Sequence, residues 1–436
     1  MKKRIASLVT LISSFCLNAQ SLYFPPLTGN TWETLSPTSL NWCSHRIDSL
    51  YAFLDASNTK AFILLKDGKI VLEKYFGTHT AATPWQWASA GKAITSFMVG
   101  MASQENYLSL ADTVSHYLGQ GWTSCSPAQE EKITIRHQLT MTSGLDDGVQ
   151  DNFCTLDTCL VYKADPGLRW AYHNAPYTLL DTVIESATGQ SLNMYTTQKL
   201  KNPTGMTGAF VPVGYNQVYF SNARSMARFG LLILNKGNWN GSQLMTDTTY
   251  FKQMVQTSQL LNEAYGYLWW LNGKSSYRLP ATQLLFNGPL CPSAPSDMIA
   301  AMGKDGQFLN VVPGENLVWV RMGNSPDNLP VPFLLNDRIW SYVRELGCQP
   351  LGLSEHGAAE TFVRLFPNPA GTILNIQAAE EMSGLEILSV QGSLLRTEAL
   401  KGHARRMSVA DLAPGLYGIR ITLSGGRQWT GKFARE

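Results

Sequence analysis

The chain has 436 residues, of which 44% are hydrophobic and 11% aromatic, enough apolar content to bury cores for two or three domains and too much for a disordered protein. Its 34 basic residues nearly balance 32 acidic ones, for a formal charge of +2, which argues for neither nucleic acid nor an anionic membrane surface as a partner. Nowhere does the chain reach the roughly 18 uninterrupted apolar residues that a spanning helix needs, so no transmembrane segment is expected.

Met1-Lys2-Lys3-Arg4, the apolar run from Ile5 to Leu17 and the small residue Ala19 read as a secretory signal peptide over residues 1–19. Phe15 before Cys16 is too large for a lipobox. Cleavage after Ala19 removes three positive charges and leaves the mature chain at −1. It also leaves six cysteines, an even number that favours disulfides in an exported chain and no reactive thiol. Cys154 and Cys159, close together in one loop, are expected to pair, while Cys43, Cys125, Cys291 and Cys348 allow three connectivities. Of the histidines only His173 lies near that cysteine pair, so no metal site is expected.

A helix is expected over Ile47 to Leu54, then two strands, AFILL from Ala61 and KIVLEKYF from Lys69, joined at Lys66-Asp67-Gly68 as a hairpin turn. Ser57-Asn58-Thr59-Lys60, between helix and strand, carries a Ser-x-x-Lys spacing but reads as a loop cap. Ser89-Ala90-Gly91-Lys92 carries the same spacing at the head of the apolar run AITSFMVGMAS, which reads as a buried helix. A serine and a lysine three apart on a helix share a face. Free serine is a poor nucleophile, and a lysine kept partly neutral by a dry pocket supplies the base it needs.

Further along, Asp146-Asp147 reads as a solvated turn. Tyr172-His173-Asn174 follows a Pro/Gly turn and leads into a segment expected to become helical after Pro176. A tyrosine beside a lysine ionises more easily and can relay a proton. His173, between the two, is expected to point away from both if the segment is extended. SMARFGLLILNKGNW places Met226, Phe229, Leu232 and Ile233 at helical spacing and is core. Gly303-Lys304-Asp305-Gly306-Gln307 follows the apolar segment Met298 to Met302 and leads into two strands joined at Pro313-Gly314-Glu315-Asn316; a glycine there marks a close approach of backbone or substrate. A closing helix is expected near Asn336 to Leu346. Trp85, Trp87, Trp170, Trp269 and Trp270 bracket these motifs and either wall an apolar pocket or fill the core.

In the order Ser89-x-x-Lys92, Tyr172-x-Asn174, Lys304-x-Gly306, the chain resembles the serine β-lactamase and penicillin-binding-protein superfamily over roughly residues 40 to 345, and within it the class C-like hydrolases and esterases. The resemblance implies an α/β (α+β) fold, an antiparallel sheet flanked by helices plus an all-helical region, in which first and last helices pack together. It implies Ser89 as nucleophile, Lys92 and Tyr172 as general base and acid, Asn174, Lys304 and Gly306 as substrate-contacting or orienting residues, and the N–H groups of Ser89 and Gln307 as the oxyanion hole. Asp305, where lactam-binding enzymes usually carry Thr or Ser, and the Gly-x-x-Gly-Gln form favour an ester or amide substrate. A D-amino-acid peptidase, a β-lactamase, and a non-catalytic surface ligand-binding protein on the same fold stand as alternatives. No cofactor is implied. The other serine-hydrolase signature, Gly-x-Ser-x-Gly, is broken at Trp87 in Trp87-Ala88-Ser89-Ala90-Gly91.

After Gly352 the texture changes to short alternating strands broken by Pro-Asn-Pro, Gln-Gly and Gly-Gly turns, which reads as a small β-sandwich. Phe366-Pro367-Asn368-Pro369, Gly392, Gly415-Leu416-Tyr417 and the basic last strand resemble the C-terminal sorting domain of the type IX secretion system, implying that secretion machinery is a partner and that the protein is secreted or attached to the cell surface. The expected division is a signal peptide at 1–19, a hydrolase domain at 20–352, a linker at 353–361 and a sorting domain at 362–436.

Overall fold

Helix α1 (Ser44–Ala56) forms because Ile47, Leu50 and Leu54 fall on one face, which the core buries. The computed structural model describes residues 22–326, 331–348, 363–389, 393–424 and 426–436, so the expected signal peptide and linker lie outside the described residues. After α1 come β1 (Thr59–Lys66) and β2 (Lys69–Tyr75). Their connection is the expected hairpin turn, with Asp67 at φ 51° and Gly68 at φ 82°, the double left-handed geometry that matches the twist of the strands. Ser57 caps the end of α1, and Thr59 and Lys60 already belong to β1. The second Ser-x-x-Lys is thus a helix-to-strand junction.

Helices α2 (Lys92–Gln104), α3 (Asn174–Thr188) and α4 (Ala223–Leu234) follow, then β3 (Trp270–Leu271), β4 (Ile299–Gly303), β5 (Gln307–Val312), β6 (Leu317–Gly323) and α5 (Phe333–Arg344). The six strands form one antiparallel sheet in the order β2-β1-β6-β5-β4-β3. The first and last helices pack together, with the Phe53 and Tyr342 rings stacked at 4.8 Å. Helix α4 packs against β1, β5 and β6. Gly230 permits its close approach, since a Cβ there would lie 2.6 Å from Leu309 and Val318 side chains. Buried on both faces, these strands read as continuous apolar runs. Helix α3 starts at Asn174, three residues earlier than expected, with Pro176 in its first turn, where a missing N–H costs nothing.

Residues 363–436 have a core of their own around Leu374, Ile376, Leu385, Ile387, Ile419, Ile421 and Phe433. Among the described residues it lies within seven strands: β7 (Val363–Phe366), β8 (Ile373–Ala378), β9 (Met382–Leu388), β10 (Leu394–Ala399), β11 (Ala404–Ser408), β12 (Gly415–Leu423) and β13 (Gln428–Arg435). One antiparallel sheet runs β7-β8-β11 and the other β10-β9-β12-β13, the expected sandwich.

Cys154 and Cys159 are disulfide-bonded, and a second disulfide joins Cys43 at the start of α1 to Cys348 beyond α5. Full pairing of the six cysteines does not occur. Cys125 and Cys291 remain thiols, because Cys291 is fully buried beside Asn336 of α5 while Cys125 lies against the Leu160 carbonyl. Burial pushes the Cys291 thiol up to about 12 and raises that of Cys125, so neither favours the reactive thiolate.

Candidate active site

Ser89 lies in a single 3-10 turn, Ala88–Gly91, that runs directly into α2, with Ala88 in the left-handed region at φ 47°. The Ser89 to Lys92 spacing therefore crosses from 3-10 to α geometry and still stacks the two side chains, with Ser89 Oγ and Lys92 Nζ 2.7 Å apart. The turn packs against β4. Strand β3 pairs with β4 only at Ile299 and Ala300, leaving the edge from Ala301 to Gly303 to the serine turn. Gly303 has no room for a side chain, because a Cβ would meet Trp87 O at 2.6 Å, Ala90 N at 2.8 Å and Ser89 N at 3.0 Å. This is the close backbone approach that a glycine at the end of a strand permits.

From the opposite side, the N-terminus of α3 brings Asn174, whose Oδ1 accepts from Lys92 Nζ at 2.9 Å. The Lys92 nitrogen lies 3.9 Å from the Tyr177 ring centroid and 4.9 Å from that of Tyr172. Tyr172 hydrogen-bonds Ser89 and stacks on Trp270 at 5.7 Å. Trp170 and Tyr265 pack edge-on to one another and around the same ring. Trp87 and Trp269 instead pack on Phe229 in the core, and Trp85 donates to Gly323 O.

Lys92 is 2% exposed, and burial holds its amine well below the usual lysine range. Burial also raises the Tyr172 phenol, with only the Ser89 hydrogen bond acting the other way. The expectation that Tyr172 ionises easily beside a lysine is therefore corrected: the desolvation of its own anion outweighs the neighbour. His173, extended at φ −102° and ψ 117°, is buried and pushed down to about 4, a neutral imidazole near neutral pH. Asp146 and Asp147 pair with Lys163 and Arg169.

The third motif is arranged differently from expectation. Lys304-Asp305-Gly306 is a 3-10 turn between β4 and β5, with Asp305 at φ 61° and Gly306 at φ 75°. The buried Arg321 guanidinium collects the Asp305 and Gly306 carbonyls at 3.0 and 2.8 Å, drawing the turn onto the sheet. Lys304 is exposed, and Gln307 spends its side-chain amide on the Gly323 backbone. Gly303 packs directly on the Ser89 backbone, and the Lys304–Gly306 turn and the strand that begins at Gln307 also lie against the serine turn.

Asn152 and Asp181 were not singled out by sequence. Asn152 Oδ1 accepts from the Asn174 backbone N at 3.0 Å and from Asn174 Nδ2 at 2.7 Å, and its carbonyl accepts from Ala175 N at 3.1 Å. It thereby caps α3 from outside, in place of His173, and turns the Asn174 oxygen toward Lys92. Two residues on, Cys154 ties the same loop to Cys159. Asn152→Ala should slow labelling of Ser89 by a fluorophosphonate about 10- to 100-fold, as displacement of a positioning group does. Asn152→Asp, which retains the acceptor, should recover most of that loss; equal rates in Asn152→Ala and wild type would show that Asn174 needs no such support.

A Beta-lactamase family model matches residues 54–344, and a Secretion system C-terminal sorting domain model matches residues 364–434. Protein flp of Staphylococcus aureus is 29% identical over 167 residues, which is 34% of this chain and 33% of that protein. The chain thus spans about a third of the length of that relative. Among solved structures, a Bacillus anthracis protein provisionally described as a 6-aminohexanoate-dimer hydrolase superposes with a TM-score of 0.54 at 20% identity, over 73% of this chain and 89% of that one. A penicillin-binding protein homolog from Caulobacter crescentus superposes with a TM-score of 0.53 at 12% identity, over 70% and 98%. These likenesses show a shared fold. The sorting domain marks the chain for export by the type IX route to the cell surface or beyond, and no helix among the described residues is long and apolar enough to cross a membrane.

Proposed function

The chain belongs to the Beta-lactamase family, and from that premise we propose that it is an exported serine hydrolase that cleaves neutral ester or amide bonds through an acyl-enzyme on Ser89. The observation that carries this reading is the 2.7 Å contact between Ser89 Oγ and a buried Lys92 amine whose proton affinity is depressed. A neutral amine at that distance can take the hydroxyl proton as Oγ bonds to the substrate carbonyl carbon. The carbonyl oxygen, now an anion, is held by the Ser89 N–H and by a backbone N–H of the Gly303–Gln307 segment that packs on the serine turn, Gln307 being the one the motif assigns. Asn174 fixes the lysine. Tyr172, kept as a neutral phenol, relays the proton held by Lys92 to the leaving group as its bond to the carbonyl carbon breaks; in the second half-reaction Lys92 takes a proton from the attacking water, through the same phenol, and returns it to Ser89 Oγ as the acyl bond breaks.

Preference for a neutral substrate is supported by the uncharged surroundings of Tyr172, namely Trp170, Tyr265 and Trp270, and by the place of Lys304 on the turn beyond the strand. Entry into the export route is assigned to a signal peptide at residues 1–19. The test is a panel of short p-nitrophenyl esters, D-amino-acid amides, the linear 6-aminohexanoate dimer and nitrocefin, assayed with the mature protein. A higher kcat/KM for an ester or linear amide than for nitrocefin is expected. Preferential turnover of nitrocefin would overturn the substrate assignment.

A further inference from the structure

Asp181 lies on α3 two turns beyond Asn174, and Thr95 lies on α2 one turn beyond Lys92, so the two helices meet along two rungs. The first rung is Lys92 Nζ donating to Asn174 Oδ1 at 2.9 Å, and the second is Thr95 Oγ1 donating to Asp181 Oδ1 at 3.1 Å. Tyr177, between Asn174 and Asp181 on the same helix, lays its ring beneath the lysine nitrogen. Asp181 is 5% exposed and Thr95 1%. A buried carboxyl with a single hydroxyl donor is costly, and an apolar residue of similar size would avoid the cost, so the group calls for a role that packing does not supply.

We propose that Asp181 is the counter-charge of Lys92, a positioning residue whose carboxylate stabilises the ammonium formed when Lys92 takes the Ser89 proton. This rests on the reading of Lys92 as the base. A base works best when its proton affinity matches the operating pH. Burial alone pushes Lys92 down, which frees the amine but weakens it as an acceptor, and the negative charge of Asp181 acts in the opposite sense. Burial in turn pushes Asp181 up to about 8, while Thr95 and Lys92 draw it back. The two groups titrate as a pair. As pH falls through the upper step, the pair takes up one proton and loses either the free amine or its counter-charge, so the most reactive form, neutral amine beside carboxylate, is the one present above it.

The other groups around the pair are neutral or engaged elsewhere. Ser89, Tyr172, Asn174, Tyr177 and Tyr265 are uncharged neighbours, and Glu185, one turn further along α3, adds to the upward pressure on Asp181. The short helices packed on α3 bring His116 and Tyr117, Arg136 and His137, and Tyr195; strand Asn216–Ser221 brings Tyr219. Tyr117 donates to Asp112, Arg136 to Tyr267 and Ser258, Tyr195 to Glu105 and Tyr219 to Thr207, His137 bonds Thr134, and His116 packs edge-on to Tyr117. On the far side of α2, Tyr250 donates to Ser96 O and Lys252 is exposed. Among the described residues Asp181 is the one charge that acts on Lys92.

The experiment measures the second-order rate of Ser89 labelling by a fluorophosphonate, read by intact mass from about pH 5 to about pH 10, so that it needs no knowledge of the substrate. Wild type should show a rate that rises with pH through the upper step of the pair. Asp181→Asn should lack that step, with its limb at least about one pH unit lower and a plateau about 3- to 10-fold below wild type, as a weaker base gives. Thr95→Val, close in size but without the hydroxyl that favours the carboxylate, should move the step upward. Opposite displacements by two variants are not what loss of packing produces. Profiles of both variants that superimpose on wild type would overturn the proposal, and if Asp181→Asn fails to fold, Thr95→Val decides alone. Absence of any Ser89 labelling in wild type would instead overturn the acyl-enzyme reading, and the role of Asp181 with it.

Discussion

Ser89→Ala is expected to lower turnover of the preferred substrate by at least about 10⁴-fold, the scale seen when a nucleophile that acts as part of a unit is removed. The loss should appear in kcat, since the covalent route disappears while the pocket around Tyr172 remains. The fold should survive, because Ser89 is only half-buried and the contacts it gives up are with the Lys92 amine and the Tyr172 hydroxyl; alanine also suits the crowded turn against Gly303. Intact mass after a fluorophosphonate should show one adduct on wild type and none on the variant. Persistence of the adduct in Ser89→Ala would assign the nucleophile elsewhere.

Lys92→Met should cost at least about 100-fold in kcat, the lower end of what a positioned base contributes. Methionine is the informative replacement because the amine is buried against the Tyr177 ring, and an unbranched apolar chain fills that space without a charge to desolvate. What it removes is the hydrogen-bond partner of Ser89 Oγ, proposed above as the acceptor of its proton, and the donor to Asn174 Oδ1. Tyr172 cannot take over as a phenolate, since burial raises its phenol. Tyr172→Phe should therefore slow leaving-group departure while leaving fluorophosphonate labelling less affected than Lys92→Met does. Labelling of Lys92→Met at the wild-type rate would show that some other group accepts the proton.

The serine and its lysine were legible because their relation is local. Three residues of a helix, or of a 3-10 turn entering one, place two side chains on one face whatever the remainder of the chain does. The same holds for the Asp67-Gly68 hairpin turn, for the core face of α4, and for the alternating strands of the C-terminal sandwich, each set by backbone geometry within a few residues. The local shape of the third motif was less legible for the converse reason. Lys304-Asp305-Gly306 matches a spacing, but whether a strand continues through those residues or turns back depends on Arg321, far along the chain, which gathers their carbonyls. That Gly303 faces Ser89 follows from where β3 stops pairing with β4.

Asp181 could have been found once Asn174 was known to face Lys92, because seven residues make two helical turns and Thr95 stands at the matching place on α2. Asn152 had no such signal, since it belongs to a loop whose approach to α3 is set by tertiary packing. The pairing of Cys43 with Cys348, 305 residues apart, likewise follows from α1 lying against α5. Composition and local periodicity thus marked out the strand-rich C-terminal unit and the helix carrying the serine with its lysine, while the export module was read from a resemblance carried by a few turn residues. Which distant groups complete the site was decided by the packing of helices and sheet, because burial, and with it the charge state of Lys92, Tyr172 and Asp181, is a property of the assembled core and not of any short stretch of chain.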